Sequence, residues 1–276
     1  MTGEDIQAML FGTVEAPGTP ADDDPGQQAL RLCALNVNSA GTDRAQPLLE
    51  WLTGTRCNVL VLTELRPSDG GRLILAGLEA DGFHVARTAG WQDSQYMAVV
   101  ASRGFETAPV TPAPFDPRVA AVDLAAAGPQ PVRVVGVYAP TNGMTAESSV
   151  RRRGFQGQFL DYLAAITRPA MCVTGDLNVV EPGHRPPLEG FEDHDYAFYA
   201  RLTQSSGLCD AYRHLNPDGT DHSWASDRLG GQRLDHALVS PAAGTIRECR
   251  YDHAPRTRRL TDHAALLITV GPDASK

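Results

Sequence analysis

From residue 30 onward, short apolar runs alternate with Gly, Pro, Asn and Asp. They occupy 30–37, 57–62, 96–102, 119–124, 132–139, 170–174, 234–239 and 264–270. Runs of this length bounded by turn formers predict buried strands. Between them the period becomes helical. Leu48, Leu49 and Leu52 share a face over 42–52, and Leu73, Leu75 and Leu78 over 71–78. Phe155, Phe159, Leu160 and Leu163 form a stripe behind Arg151, Arg152 and Arg153, and a short helix is expected over 196–202. No repeat of fixed period and no break in composition divides the chain. The pattern predicts one compact α/β sandwich over 30–272. Residues 1–29, rich in Gly, Pro, Ala and Asp, are expected to form a disordered acidic tail, and 273–276 a short C-terminal one.

Polar residues punctuate the ends of these runs. Asn36 and Asn38 close the first, and Thr63-Glu64 closes the second. Tyr138 ends a later run and precedes Ala139-Pro140-Thr141-Asn142-Gly143. Gly175-Asp176-Leu177-Asn178 follows 170–174, Asp235 opens 234–239, and Thr261-Asp262-His263 precedes 264–270. Taken singly, each has an ordinary structural reading. Asn36 suits a turn, Glu64 a solvated surface, Tyr138 a core, and Asp262-His263 a cap or loop. Taken together at strand ends, where scaffolds carry chemistry, they read differently. An Asn, a Glu, an Asp-Asn pair and an Asp-His pair make a hard-oxygen metal site beside an acid/base group. That equipment suits Mg2+-assisted cleavage of a phosphodiester.

Charge qualifies the choice of substrate. The formal net charge is −9, but residues 1–29 hold six carboxylates and no Lys or Arg, and removing them leaves −3. Such a body can meet DNA through clustered Arg and a metal, with little nonspecific attraction. Arg44 and the run Arg151, Arg152, Arg153 are candidate phosphate contacts, although a charge run also suits a solvated helix start. The five cysteines form no CxxC pair, which points to a reducing compartment. With no signal segment and no apolar stretch of roughly 18 residues, the expectation is a cytoplasmic monomer with no membrane span and no obligate protein partner.

The order and spacing of these motifs resemble the endonuclease/exonuclease/phosphatase superfamily, most closely its exonuclease III/AP endonuclease branch. The resemblance spans roughly residues 30–272. It is reinforced by Trp51-Leu52 at the end of the first helix, by Gly207-Leu208-Cys209-Asp210-Ala211-Tyr212-Arg213 with Asn216-Pro217, and by Ser223-Trp224. It implies a DNase I-like fold, a four-layer α/β sandwich of two mostly antiparallel sheets flanked by helices. It also implies DNA as substrate, possible work in DNA repair, and Mg2+ as cofactor, with Mn2+ able to substitute.

The resemblance further implies roles. Glu64 would be the main metal ligand, with Asn36 and Asp262 in the same shell. Asp176 would orient and deprotonate water, held by Asn178. Asp235 would fix the tautomer of His263, which would stabilise charge on phosphate; whether Asp176 or His263 is the base stays open. Tyr138, Thr141 and Asn142 would donate to phosphate, and Trp224 would wall the pocket. Thr63 and Arg66 stand where the family has Gln and Lys, and Asn38 where some members carry Asp. The segment from Trp224 to Asp235 is short, and Gln232 occupies an aromatic position, so abasic-site preference is not expected. Other phosphoesters (inositol phosphate, lipid head group, RNA end, protein–DNA adduct) and a non-catalytic binding module are the competing readings.

Overall fold

The computed structural model describes residues 28–88, 90–114, 117–125, 130–141, 143–184 and 190–271. The two expected tails lie outside the described residues except for Gln28 and Ala29. Ala29 is buried, and its carbonyl accepts from Asn58 Nδ2 at 2.9 Å.

The strands are β1 (Leu30–Asn36), β2 (Val59–Leu65), β3 (His84–Arg87), β4 (Met97–Ser102), β5 (Glu106–Pro109), β6 (Val119–Ala125), β7 (Val132–Tyr138), β8 (Met171–Asp176), β9 (Cys209–Asp210), β10 (Trp224–Ser226), β11 (Gly230–Gln232), β12 (Asp235–Val239), β13 (Thr245–Asp252) and β14 (Ala265–Gly271). The helices are α1 (Thr42–Gly54), α2 (Asp69–Ala80), α3 (Ala146–Ala165), α4 (Asp193–Ala200), α5 (Ala211–Leu215) and α6 (Ala254–Thr257). One six-stranded sheet has the order β13-β14-β1-β2-β4-β3, the other β5-β6-β7-β8-β12-β9. A small hairpin, β10-β11, stands apart. Within each large sheet the pairs are antiparallel except one, β1-β2 in the first and β7-β8 in the second.

Strand periodicity explains the four layers. Along β1, Leu30, Leu32 and Ala34 enter the core between the sheets, while Cys33 and Leu35 pack against α1 and α2. In the second sheet, Val132 and Val134 of β7 face the same inner core, and Val135 and Val137 pack with Phe155, Phe159 and Phe198 of α3 and α4. Strands buried on both faces read as continuous apolar runs rather than alternations. For that reason the central strands are visible in sequence.

Several elements were not expected. β13 is an edge strand in which only Cys249 and Tyr251 are buried, and its outward Glu248 and Arg250 break any apolar run. β3 and β5, also edge strands, contain no buried residue. The helix expected at 196–202 starts at Asp193, and a π-helical turn (Arg201–Ser205) follows it. Among the described residues, no helix is long and apolar enough to cross a membrane. All five cysteines are free.

Candidate active site

Both parallel pairs end at the same edge of the sandwich, and the polar residues collect there. Asn36 ends β1 and lies in register with Thr63 of β2. Tyr138 ends β7 and lies in register with Asp176, the last residue of β8. Asp235 begins β12 opposite Asp176. His263, just before β14, is brought in by an isolated bridge to Trp224.

Backbone detail aims these side chains. The β2–β4 register breaks between Leu62 and Leu65, so Glu64 sits in an irregularity with φ 53°. A non-glycine residue there carries about 1 kcal/mol or more of strain, a feature concentrated at functional sites. Asn38 and Asn178 are also left-handed, at φ 45° and 50°, as Asn tolerates. Gly175 has φ 134°, and a Cβ there would meet the Val137 carbonyl oxygen at 2.3 Å. Only glycine lets β7 approach β8 so closely just before Asp176.

Two linked hydrogen-bond systems result. In the first, Asn36 Nδ2 donates to Glu64 Oε2 at 3.1 Å and to Asp176 Oδ2 at 2.8 Å. Ser39 Oγ donates to Glu64 Oε1 at 3.1 Å, and Asn38 N to Asn36 Oδ1 at 2.8 Å. Asn178 N donates to Asp176 Oδ1 at 2.9 Å, while its own amide donates to the Ala139 carbonyl at 2.8 Å. In the second, His263 Nδ1 and Asp235 Oδ2 lie 2.7 Å apart. The backbone of Asp235 is pinned by Ser223 Oγ, which accepts from Leu234 N and Asp235 N at 3.0 Å each, and by the Tyr251 hydroxyl, which donates to the Asp235 carbonyl at 2.7 Å. Thr261 Oγ1 donates to the Asn36 carbonyl at 2.7 Å, tying the His263 loop to β1.

Burial and charge set the proton affinities. Burial, and then the charge of Asp235, push Asp176 up to about 7, against the opposing pull of His263 and Asn36. Burial disfavours the imidazolium of His263, but the Asp235 carboxylate outweighs it and raises His263 to about 9. Burial, Asp176 and Glu64 together raise the Tyr138 phenol well above its ordinary value. The site therefore holds a carboxylate whose proton affinity is raised beside an imidazole held in its charged form.

Asp176, Asp235 and His263 offer ligand atoms within 4.8 Å of one another. Their hydrogen bonds describe an acid/base relay more than a coordination shell, because His263 Nδ1 is committed to Asp235. Glu64 fits a hard cation better. It is half-buried, its carboxylate meets that of Asp176 at the Asn36 amide, and Asp262 in the same cavity lining offers further carboxylate oxygen. Among the described residues lining this cavity there is no thiol. Such a donor set suits Mg2+ or Mn2+.

The cavity itself measures roughly 300 Å3, and its lining includes Asn36, Glu64, Asp176, Asn178, Asp262 and His263. Thr141, Trp224 and Arg152 border it too. Asp262 is exposed at the rim, where its Oδ2 accepts from Trp224 Nε1 at 3.1 Å. Tyr138 is buried behind Glu64 rather than in the cavity lining. Asn142 lies outside the described residues. Arg44, one of the expected phosphate contacts, donates to the Asn38 and Leu260 carbonyls, at 2.8 Å each, and so braces the two loops that carry the site. Ser39, Tyr251 and the pinning role of Ser223 were not anticipated; an isolated Ser or Tyr leaves no periodic signal.

A buried ionic cluster supports the site from behind. Arg233 donates to Glu181 and Asp210, Arg213 also pairs with Glu181, and His236 Nε2 lies 2.8 Å from the Val179 carbonyl. The arginines hold Glu181 down at about 2 despite its burial. The cluster fixes the turns flanking Asp176 and Asp235.

Comparison with known proteins gives a consistent picture. The Endonuclease/Exonuclease/phosphatase family matches residues 33–263. The 3′-5′ exonuclease NExo from Neisseria meningitidis has a similar structure, with TM-score 0.69 and 22% identity over 87% of this chain and 99% of that one. A structure of the 3′ phosphatase NExo from Neisseria bound to product DNA hairpin gives TM-score 0.70 at 22% identity, over 88% and 99%. An AP endonuclease from Archaeoglobus fulgidus gives 0.68 at 18%, over 87% and 99%. At such identities the likeness speaks for the fold. No curated protein matches the sequence.

Proposed function

Because the chain belongs to the Endonuclease/Exonuclease/phosphatase family, we propose that it is a metal-dependent phosphodiesterase that hydrolyses DNA. The observation that carries this reading is the position of Asp176. It is bonded through Asn36 to Glu64 on one side and lies within ligand distance of the Asp235–His263 pair on the other.

The chemistry follows from the residues. Asp176, with its pKa near 7, takes a proton from the attacking water. Asn178 N and Asn36 keep the carboxylate oriented for that transfer. Water oxygen bonds to phosphorus, the P–O bond to the sugar breaks, and the leaving oxygen takes a proton from solvent water. His263, cationic at neutral pH through Asp235, stabilises the charge that grows on the phosphate oxygens. Glu64, with Asp262 at the rim, would hold the ion, and Asn36, whose amide NH2 donates to Glu64, would position that carboxylate; the ion when bound supplies Lewis acidity and neutralises phosphate charge. Thr141 adds a donor and Trp224 a flat wall for a sugar or base.

The substrate assignment draws on the neighbours, one described as a 3′-5′ exonuclease and one bound to product DNA. A role in DNA repair, as a monomer in the cytoplasm, fits this reading. One observation favours a second reading, a phosphoester outside DNA. Buried Gln232, rather than an aromatic ring, lines the cavity beside Trp224. Assays on single-stranded, duplex, nicked and abasic DNA, run beside inositol phosphate and other phosphomonoester substrates, distinguish the two. Turnover confined to small phosphoesters would reject the DNA reading.

A further inference from the structure

Of the three consecutive arginines in α3, Arg151 and Arg153 are exposed, and Arg152 is 1% exposed. Arg152 is gripped from one side. Its Nε donates to Asp195 Oδ1 at 2.7 Å. Asp195 is itself fully buried, accepting from Gln156 Nε2 at 2.7 Å and from Glu192 N at 2.9 Å. His194 Nδ1 lies 2.8 Å from Gln156 Oε1, which locks the other end of that amide. The Phe191 ring lies 5.4 Å from the guanidinium carbon. A rigid bracket thus fixes the plane of the guanidinium.

Among the described residues the guanidinium makes no hydrogen bond beyond that of Nε, and Nη2 is buried without a partner. Arg152 also lines the same cavity as Asp176, Asn178 and His263. A buried charged donor without an acceptor is costly and rare, and at a cavity wall it calls for an acceptor on a ligand. If Arg152 served only to neutralise Asp195, the Nε bond would suffice. A cavity of roughly 300 Å3 has room for a phosphate and its sugar, not for a run of strand.

We propose that Arg152 binds substrate directly, donating through the terminal end of its guanidinium to a non-bridging oxygen of the phosphate that enters the catalytic cavity, with Asp195 as the positioning residue that fixes the guanidinium. The inference rests on the reading of the cavity as a phosphoester-hydrolysing site. Lysine cannot replace this arginine, because one ammonium cannot serve Asp195 and a phosphate oxygen in the fixed fork geometry.

The test uses inorganic phosphate as the probe, titrated into the full chain in chelator and followed by 31P NMR, beside steady-state kinetics on an oligonucleotide with Mg2+. Arg152→Lys keeps a cation for Asp195. The pair Arg152→Met with Asp195→Asn removes both buried charges together, so neither is left unpaired. Both variants should bind phosphate about tenfold or more weakly, the worth of one charged hydrogen bond. KM should rise by a similar factor while kcat stays within about threefold. Phosphate affinity within twofold of wild type in both variants would overturn the proposal, whatever their melting temperatures. If the variants lose phosphate binding but wild type turns over no phosphoester, the anion site stands and the hydrolase reading falls.

Discussion

Asn36 Nδ2 donates to Asp176 Oδ2 at 2.8 Å, a bond between residues 140 apart in sequence that crosses from one sheet to the other. The same amide reaches Glu64. One side chain therefore sets the spacing between the carboxylate best placed for a metal and the carboxylate best placed for a proton. Removing it should disturb both. In Asn36→Ala, the buried Asp176 loses a bond that stabilises its charged form, so its pKa should climb above about 7. The acid limb of the rate–pH profile should move to higher pH, and kcat should fall by roughly tenfold or more, the lower part of the range for acid/base groups. An unmoved limb would show that Asn36 does not govern Asp176.

The raised pKa of Asp176 also has a sign for stability. Its folded value of about 7 lies above the ordinary carboxylate value of about 4. Its favourable contribution is complete below that ordinary value and is lost as pH rises through 7. Asp176→Asn should therefore melt higher than wild type at about pH 8 in chelator, and no higher at about pH 4. Thermal melts at the two pH values give the answer, and a variant less stable than wild type at the higher pH would refute the burial argument.

His263 and Asp235 should behave as one unit. His263, raised to about 9, contributes stability that is complete below its ordinary value of about 6.5 and lost as pH rises through 9. His263→Gln should cost about 1–3 kcal/mol at about pH 6 and much less near pH 10. In activity, adding Asp235→Ala to His263→Ala should cost little beyond the single change. Strictly multiplicative losses in kcat would exclude the coupling across the 2.7 Å contact.

Ser223 is fully buried and accepts two backbone N–H bonds at the start of β12. Ser223→Ala leaves both donors dry and should destabilise by about 2–4 kcal/mol. Urea denaturation measures this. A loss under half a kcal/mol would mean that water takes over the hydroxyl's place.

Much of this was legible in the sequence because the site sits at the ends of strands buried on both faces. Such strands are unbroken apolar runs, and Asn36, Glu64, Asp176 and Asp235 stand out where those runs stop. Edge strands hid for the opposite reason, since β13 alternates Glu248 and Arg250 with its two buried residues. The Arg44 contacts with Asn38 and Leu260, one spanning 216 positions, exist only once the chain is folded. The contrast between buried Arg152 and its exposed neighbours had no local signal either, because helix phase, not composition, decides which of three arginines turns inward.

If DNA is the substrate, binding should be weak and salt-sensitive. The formal charge of −9 and the structural use of Arg44 leave few cations to neutralise phosphates. The slope of log affinity against log salt should correspond to roughly two to four phosphates. A slope nearer ten would reveal a basic surface beyond the cavity.

The role proposed for Asp176 is to drive metal-assisted hydrolysis of a DNA phosphodiester. The most direct measurement is single-turnover cleavage of an end-labelled duplex by wild type and Asp176→Asn, each with Mg2+ and with chelator. Wild type should cleave with Mg2+ and fall silent in chelator. Asp176→Asn should bind the duplex about as well yet cleave it roughly 100-fold or more slowly, the scale of a positioned base. Cleavage that persists in chelator, or a variant within a few-fold of wild type, would contradict the account.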